Sequence, residues 1–266
     1  MNPGRTSHAR WRILALLTLA SFIAYVLRTN MSIAGERMMG ELGLSQVQLG
    51  WVLAAFAWGY AIFQFPGGLL GEWLGGRKAL TVIAVLWGIL NLLVALVPGS
   101  VLAGPVVIII ALAGLRFLMG AAQAPVYPVM SGHTIARWFP ATGWALPNGL
   151  TNTGLTLGAA ATGPLIVLLI RSFGWRGSFV LTAPLAFLFA GAWWWYGRDD
   201  PSQHRSVSLA ELALINAGRP KAGLASEVRG AWKLVLRNRD VMLITASYFL
   251  SNYVFYFFFN WLYIYL

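Results

Sequence analysis

The chain has 266 residues, of which 58% are hydrophobic and only 10% are charged, with a formal net charge of +11. A soluble protein of this size would carry about a quarter charged residues, so the composition excludes a water-soluble domain and indicates an all-α membrane protein. The chain contains no cysteine, and its three histidines are not paired at metal-ligand spacing, which excludes disulfides and thiolate chemistry and predicts neither a metal site nor a cofactor.

Long apolar runs predict the transmembrane helices, because about 20 residues at a rise of 1.5 Å each cross a hydrocarbon core of about 30 Å. A basic start before an apolar run can be a cleaved signal peptide. No small-residue cleavage pattern follows it here, and more apolar runs come after, so we interpret the first run as a span. The predicted spans are 13–33, 49–70, 79–97, 104–130, 146–170, 178–197 and 241–266.

Basic residues lie mostly in alternate connections between these spans. The segments 1–12, 71–78, 131–145 and 198–240 hold 14 Lys and Arg, whereas the opposite connections hold only Arg37, Arg171 and Arg176. This asymmetry predicts a cytoplasmic N-terminus. We therefore interpret the net charge as a topology signal, with the lipid bilayer and not a nucleic acid as partner, in a multi-pass protein of the inner or plasma membrane.

The segment 198–240 interrupts the apolar pattern with charges, prolines and glycines. Its length predicts a cytoplasmic linker between two membrane halves. Within it, 207–216 and 226–239 have the composition of short amphipathic helices on the membrane surface. The predicted organisation is a six-helix bundle over 1–197, the linker over 198–240, and a seventh helix over 241–266 that begins an incomplete second bundle.

Two arginines, Arg28 and Arg116, lie inside predicted spans, while all eight acidic residues lie outside them. A cation at that depth costs several kcal/mol unless an anion or a water-filled cavity meets it. The simplest missing partner is an anionic substrate. Two other interpretations stay open: Arg28 reaches the headgroups with its long side chain, and Arg116 donates to neighbouring carbonyls.

Polar residues share a helix face with both arginines, since positions i, i+4, i+7 and i+11 fall on one side. Similar polar stripes in other spans would face a shared central cavity, which predicts a substrate site. Interhelical hydrogen bonding is the alternative role for several of these side chains, among them Tyr25, Gln123, Asn152 and Asn260. The predicted substrate-binding residues are Arg28, Arg116, Tyr25, Gln123, Tyr60, Gln64, Asn152, Tyr253 and Asn260.

Several motifs occur along the chain, and the last four of them follow the others in the expected order. They are GGLLGEWLGGRK (67–78), YVLRTNMS (25–32), LRFLMGAAQAPVYP (115–128), RWFP (137–140), GWRGSF (174–179), WWWYGRDDP (193–201) and SNYVFYFFFNWL (251–262). Together they resemble the major facilitator superfamily and, within it, the anion:cation symporter group. The first motif is similar to the superfamily's acidic–glycine–basic loop, which implies a conformational or gating role for Gly68, Glu72, Gly75, Arg77 and Lys78.

The resemblance implies two six-helix bundles around a central site that works by alternating access, with Arg28 and Arg116 binding the substrate carboxylate. Proton-coupled relatives often carry an aspartate where Leu27 stands and a glutamate where Gln123 stands. Leu and Gln cannot take up a proton, so the expected coupling ion is a proton bound elsewhere or none. After RWFP, Gly143 and Trp144 replace the usual Glu-Arg pair, which weakens an expected cytoplasmic gate contact.

The leading hypothesis is a secondary transporter for a small organic anion, such as a sugar acid or another carboxylate. The alternative is a protein of the same fold that does not transport, either a substrate sensor or a truncated remnant. A membrane-embedded enzyme is not favoured, because the predicted spans contain no Asp, Glu, His or Cys to serve as a base, a nucleophile or a metal ligand.

Overall fold

The computed structural model describes residues 7–99, 102, 104–217 and 237–265. The chain forms two compact units, Met1–Arg219 and Pro220–Leu266. All regular secondary structure within the described ranges is helical, as predicted.

Of the helices formed by the described residues, all but one lie in the first unit. The bounds are α1, Ala9–Leu42; α2, Gln46–Ala95; α3, Pro105–Gln123; a π-helical segment, Pro128–Ile135; α4, Ala136–Trp138; α5, Ala145–Tyr196; α6, Leu209–Asn216; and, in the second unit, α7, Arg239–Tyr265. Four continuous helical stretches in the described part are long and apolar enough to cross a membrane: Ala9–Leu42, Gln46–Ala95, Pro105–Trp138 and Ala141–Tyr196.

Glycines with a left-handed φ break α2 and α5 in the middle. Gly75 has φ 75° and ψ 159°, and Gly174 has φ 70° and ψ 176°. An unbroken helix of 50 residues would be about 75 Å long, more than twice the hydrocarbon core. The breaks separate limbs 46–74 and 76–95 in α2, and limbs 145–173 and 175–196 in α5, so they fall between the predicted spans.

Helix α1 extends well beyond the predicted span 13–33, because hydropathy marks the apolar part of a helix and not its end. The helix continues to Leu42 and stops at Gly43, whose φ of 67° closes the last turn with a hydrogen bond to the Met39 carbonyl. The span predicted at 104–130 is α-helical only to Gln123. A π-helical segment follows from Pro128, near prolines that cannot donate a backbone hydrogen bond.

Glycines bring two pairs of helix segments, α1 with α5 and α2 with α3, into close backbone contact. Gly154 and Gly158 of α5 lie against the carbonyls of Thr18 and Phe22 in α1, in parallel order. The first limb of α2 packs in parallel against α3, and its second limb packs antiparallel to the second limb of α5. In lipid no hydrophobic driving force brings helices together, so close packing at small residues stabilises such contacts.

Hydrogen bonds, a ring contact and an ion pair join the helix segments at the two ends of the first unit. At the end where α1 begins, the Trp11 ring meets Phe139, the Trp138 indole donates to the Arg198 carbonyl at 3.0 Å, and Arg77 binds Asp199. At the opposite end, Arg176 pairs with Glu41. The helix segments therefore alternate in direction along the chain.

The predicted amphipathic helix over 207–216 is present as α6, but it packs against the bundle. Its Glu211 is only 1% exposed and accepts hydrogen bonds from the backbone N–H groups of Ala9 and Arg10, both at 3.2 Å, and from the Ser7 hydroxyl. The carboxylate thus caps the free donors at the start of α1. Most of the second predicted amphipathic helix, 226–239, lies outside the described residues.

Candidate functional site

Arg116 is buried in the first unit, with 5% of its surface exposed. Its Nη2 donates to the backbone carbonyl of Arg28 at 3.2 Å, which joins α3 to α1. Its Nε is buried and has no hydrogen-bond partner among the residues that the structure describes. Burial of a guanidinium with an unused donor marks a place where an acceptor is missing.

Arg28 is half-buried and lies against three aromatic rings. Its guanidinium carbon is 4.7 Å from the ring centroid of Phe56, 5.2 Å from that of Tyr25 and 5.3 Å from that of Tyr60. The guanidinium carbon of Arg116 is 4.8 Å from the same Phe56 centroid. The two arginines therefore share one aromatic ring, and their guanidinium carbons can be no farther apart than these two distances together.

A close helix contact places Phe56 beside both arginines. A Cβ on Gly120 of α3 would collide with the Phe56 carbonyl of α2, and one on Gly59 would collide with the Phe117 carbonyl. The two backbones touch here because neither glycine has a side chain. The contact holds the Phe56 ring, which is 3% exposed, next to the turn of α3 that carries Arg116.

No ion pair among the described residues offsets the charge of either arginine. The ion pairs of the described residues are Arg10–Glu211, His133–Asp199 and Arg176–Glu41. None of them involves Arg28 or Arg116. Aromatic faces stabilise a cation by about 0.5–2 kcal/mol but do not neutralise it. The pair can therefore attract and hold an anion.

Gln123 lies next to this cluster and fills the alternative role predicted for it. Its Nε2 donates to the Ala24 carbonyl at 3.0 Å, so the amide forms an interhelical hydrogen bond between α3 and α1. Ala24 is one turn before Arg28 on α1. The structure thus gathers Arg28, Arg116, Tyr25, Tyr60 and Gln123 at one place.

For the other four predicted binding residues, no described contact indicates a place in the cluster. Gln64 and Asn152 are exposed, and no described contact joins either side chain to Arg28 or Arg116. Tyr253 is 64% exposed on α7, in the second unit. The side chain of Asn260 lies outside the described residues. A binding role for these four stays a prediction.

The predicted gating segment is organised by a residue outside it, Asp199. Its carboxylate accepts a hydrogen bond from the Arg77 backbone N–H at 2.8 Å and lies 3.7 Å from the buried His133 Nε2. The Arg77 side chain donates to the Trp194 carbonyl and stacks at 4.2 Å over the Trp194 ring. Gly68, Glu72 and Lys78 are exposed.

Sequence reasoning missed Phe56 and Asp199 as members of these two clusters. Phe56 stands in an apolar run where an aromatic residue gives no signal of its own. Asp199 occurs in the quoted WWWYGRDDP motif, but its contacts are with residues more than 60 positions away. Polar residues at helical spacing predict a shared face, whereas contacts between distant segments follow from packing.

Comparisons with known proteins agree with this architecture. A model described as "Major Facilitator Superfamily" matches residues 17–266. A probable galactarate/D-glucarate transporter of Bacillus subtilis is 32% identical over 274 aligned residues, covering 99% of this chain and 58% of the relative. A probable sulfoacetate transporter of Cupriavidus necator is 28% identical over 253 residues, covering 95% and 56%.

The chain therefore spans less than two thirds of the length of these relatives. Among solved structures, a bacterial homolog to the human lysosomal transporter Spinster, in an inward-facing and occupied conformation, superposes with a TM-score of 0.64 at 19% identity. That likeness covers 75% of this chain and 47% of the solved chain. By the match over most of its length, the chain belongs to the major facilitator superfamily.

Proposed function

We propose that this protein acts in the secondary transport of a small organic anion, a sugar acid or another carboxylate, by alternating access. The observation that carries the proposal is the pair Arg28 and Arg116, which share the Phe56 ring and have no carboxylate partner in the described part of the chain. A substrate carboxylate would supply the acceptor that the buried Arg116 Nε lacks.

Guanidinium groups suit this task for two reasons. Each presents a planar fork of N–H donors that matches the two oxygens of a carboxylate. The low dielectric of a site that excludes water strengthens each such pair. The named substrates of the relatives, galactarate, D-glucarate and sulfoacetate, are small organic anions that support this substrate class.

The described site offers no carboxylate that could carry a coupling proton. Gln123 is a neutral amide, and Leu27 is fully buried among apolar side chains. We therefore propose that this arginine cluster binds the anion without itself exchanging a proton. Any coupling ion would be bound elsewhere in the protein.

Uptake by the native polypeptide in liposomes tests the proposal. Labelled galactarate is offered to the wild type, to Arg116→Gln and to Arg171→Gln, the last being an exposed arginine away from the cluster. We expect Arg116→Gln to lose uptake by about a hundredfold, since it removes a desolvated charge pair. Arg171→Gln should retain it.

Undiminished uptake of every organic anion tried in Arg116→Gln would overturn the proposal. Binding that depends on Arg116 but produces no flux in sealed vesicles would instead identify a substrate sensor with this fold. A thermal unfolding curve for each variant in detergent separates loss of binding from loss of folding.

A further inference from the structure

We infer that the anion recognised by this site carries two negative charges, as a dicarboxylate or a sulfocarboxylate does. This inference rests on the proposed function and narrows its substrate class. It follows from a charge count around Phe56, where two guanidinium groups stand within 4.8 Å of one ring centroid.

Both guanidinium charges are present before substrate binds. Among the described residues, the ring and hydrogen-bond contacts of the two guanidiniums are with Phe56, Tyr25, Tyr60 and the Arg28 backbone carbonyl, and no described ion pair gives either of them an anion. Arg side chains stay protonated in proteins. The described cluster therefore has a charge of +2.

Binding of a monoanion would leave one of the two guanidinium charges unpaired. A monoanion leaves a net charge of +1 in a place where Arg116 is 5% exposed. An uncompensated charge at such a site is unfavourable, whereas a second substrate anion converts the repulsion between Arg28 and Arg116 into two attractions. Charge balance thus favours the dianion.

The two guanidiniums also lie close to each other in space. Because one ring touches both guanidiniums, and because Arg116 also donates to the Arg28 backbone, the two groups are held near each other. One short molecule can therefore meet both at once. A short-chain dianion can place one anionic group at each arginine, which a monoanion of the same carbon skeleton cannot do.

Galactarate and D-galactonate form a matched pair for the test, since they differ only in a carboxylate or a hydroxymethyl group at carbon 6. Their inhibition constants are measured against labelled galactarate uptake, or by direct titration, with the native polypeptide. We expect galactarate to bind about tenfold or more tightly than galactonate.

Substitutions of Arg28 test whether the preference for galactarate over galactonate depends on the second guanidinium. Arg28→Gln should weaken galactarate binding and reduce the preference to about threefold or less, because one of the two charge pairs is lost. Arg28→Lys keeps the charge and should keep most of the preference. Arg171→Gln is the control and should bind both anions like the wild type, and thermal unfolding in detergent checks that each variant is folded.

The outcomes separate this inference from the proposed function. Equal or tighter binding of galactonate, still dependent on Arg116, would overturn the dianion inference and leave organic-anion transport standing. An unchanged preference in a folded Arg28→Gln variant would also overturn it. A protein that binds no organic anion would contradict the proposed function, and the inference with it.

Discussion

Asp199 lies directly against Gly75, so that a Cβ built on Gly75 would stand 2.6 Å from the Asp199 Oδ2. The same carboxylate accepts a hydrogen bond from the backbone N–H of Arg77. A residue in the segment that follows α5 thus holds the sharp turn between the two limbs of α2. The turn and its carboxylate form one structural unit.

Gly75→Ala should therefore destabilise the protein. Its φ of 75° with ψ of 159° lies in a region that only glycine adopts readily, at a cost of about 1–3 kcal/mol for other residues, and the new methyl group would displace Asp199. Thermal unfolding in detergent measures the loss. Gly68→Ala is the matched control, since its Cβ would meet nothing within 4 Å, and it should unfold at the same or a higher temperature. Equal stability of the two variants would contradict the account of the turn.

Phe56→Leu should weaken anion binding by about tenfold, because the ring holds both guanidiniums and each cation–π contact contributes about 0.5–2 kcal/mol. Some loss of stability, about 1 kcal/mol, accompanies the smaller buried side chain. Titration of galactarate onto the folded variant measures the effect. Phe173→Leu, at an exposed ring, serves as the control. An affinity within twofold of the wild type would argue against a role for Phe56 in placing the arginines.

Gln123→Glu should make anion binding depend on pH. A protonated glutamic acid can still donate to the Ala24 carbonyl, as the amide does. The ionised form loses that hydrogen bond and places a negative charge beside Ala24, one turn of α1 from Arg28. We expect galactarate affinity to fall by about tenfold or more as the pH rises and the new carboxyl ionises. Gln203→Glu adds the same charge at an exposed position in the linker and should not show this trend. A Gln123→Glu variant whose affinity follows the wild type at every pH would contradict the prediction.

His204 should make the docking of the linker sensitive to acid. Its Nδ1 accepts from the Ser206 N–H at 3.1 Å and its Nε2 lies 3.1 Å from the Tyr196 carbonyl, an arrangement that fits the neutral ring. Burial lowers the pKa of His204 below its ordinary 6.5, although the hydrogen bond to Tyr196 acts in the opposite direction. The folded state therefore favours the neutral form. Its contribution to stability is complete above about pH 6.5 and is lost as the pH falls toward the lower folded pKa.

Thermal unfolding of the wild type and His204→Gln between pH 8 and pH 5 tests this sign. The stability advantage of the wild type should be largest at the alkaline end and should shrink with acidification. A constant difference between the two proteins, or one that grows in acid, would contradict the prediction.

The positions of the helices could be predicted from the sequence because apolar runs report burial in lipid directly. The breaks at Gly75 and Gly174 fall between predicted spans for the same reason, since charged residues cluster where the chain turns. The full length of α1 could not be predicted, because its end depends on the cap at Gly43. The grouping of Arg28 with Arg116 could be predicted from the cost of burying charge. The place of Phe56 between them could not, because it depends on the contact between α2 and α3.

The burial of Glu211, an acidic residue, could not be predicted from the sequence either. Its charge and its place in a polar segment predict exposure, yet the carboxylate is buried because the start of α1 offers it several donors at once. Sequence composition describes average environments. A single carboxylate that meets unpaired backbone N–H groups is an exception that only the packed chain reveals.

The bonds at Ser7, Ser208 and Glu211 also have a topological consequence. The Ser7 hydroxyl accepts from the Ser208 backbone N–H at 2.7 Å, while the Ser208 hydroxyl accepts from the Ser7 N–H at 3.1 Å, so the chain enters and leaves the helical bundle at the same point. A folded unit whose chain ends meet in this way, here Met1–Arg219, can be circularly permuted. Within this unit, a short bridge from residue 217 to residue 7, with new termini opened between α2 and α3, would keep the helix contacts while changing the order in which the helices are synthesised.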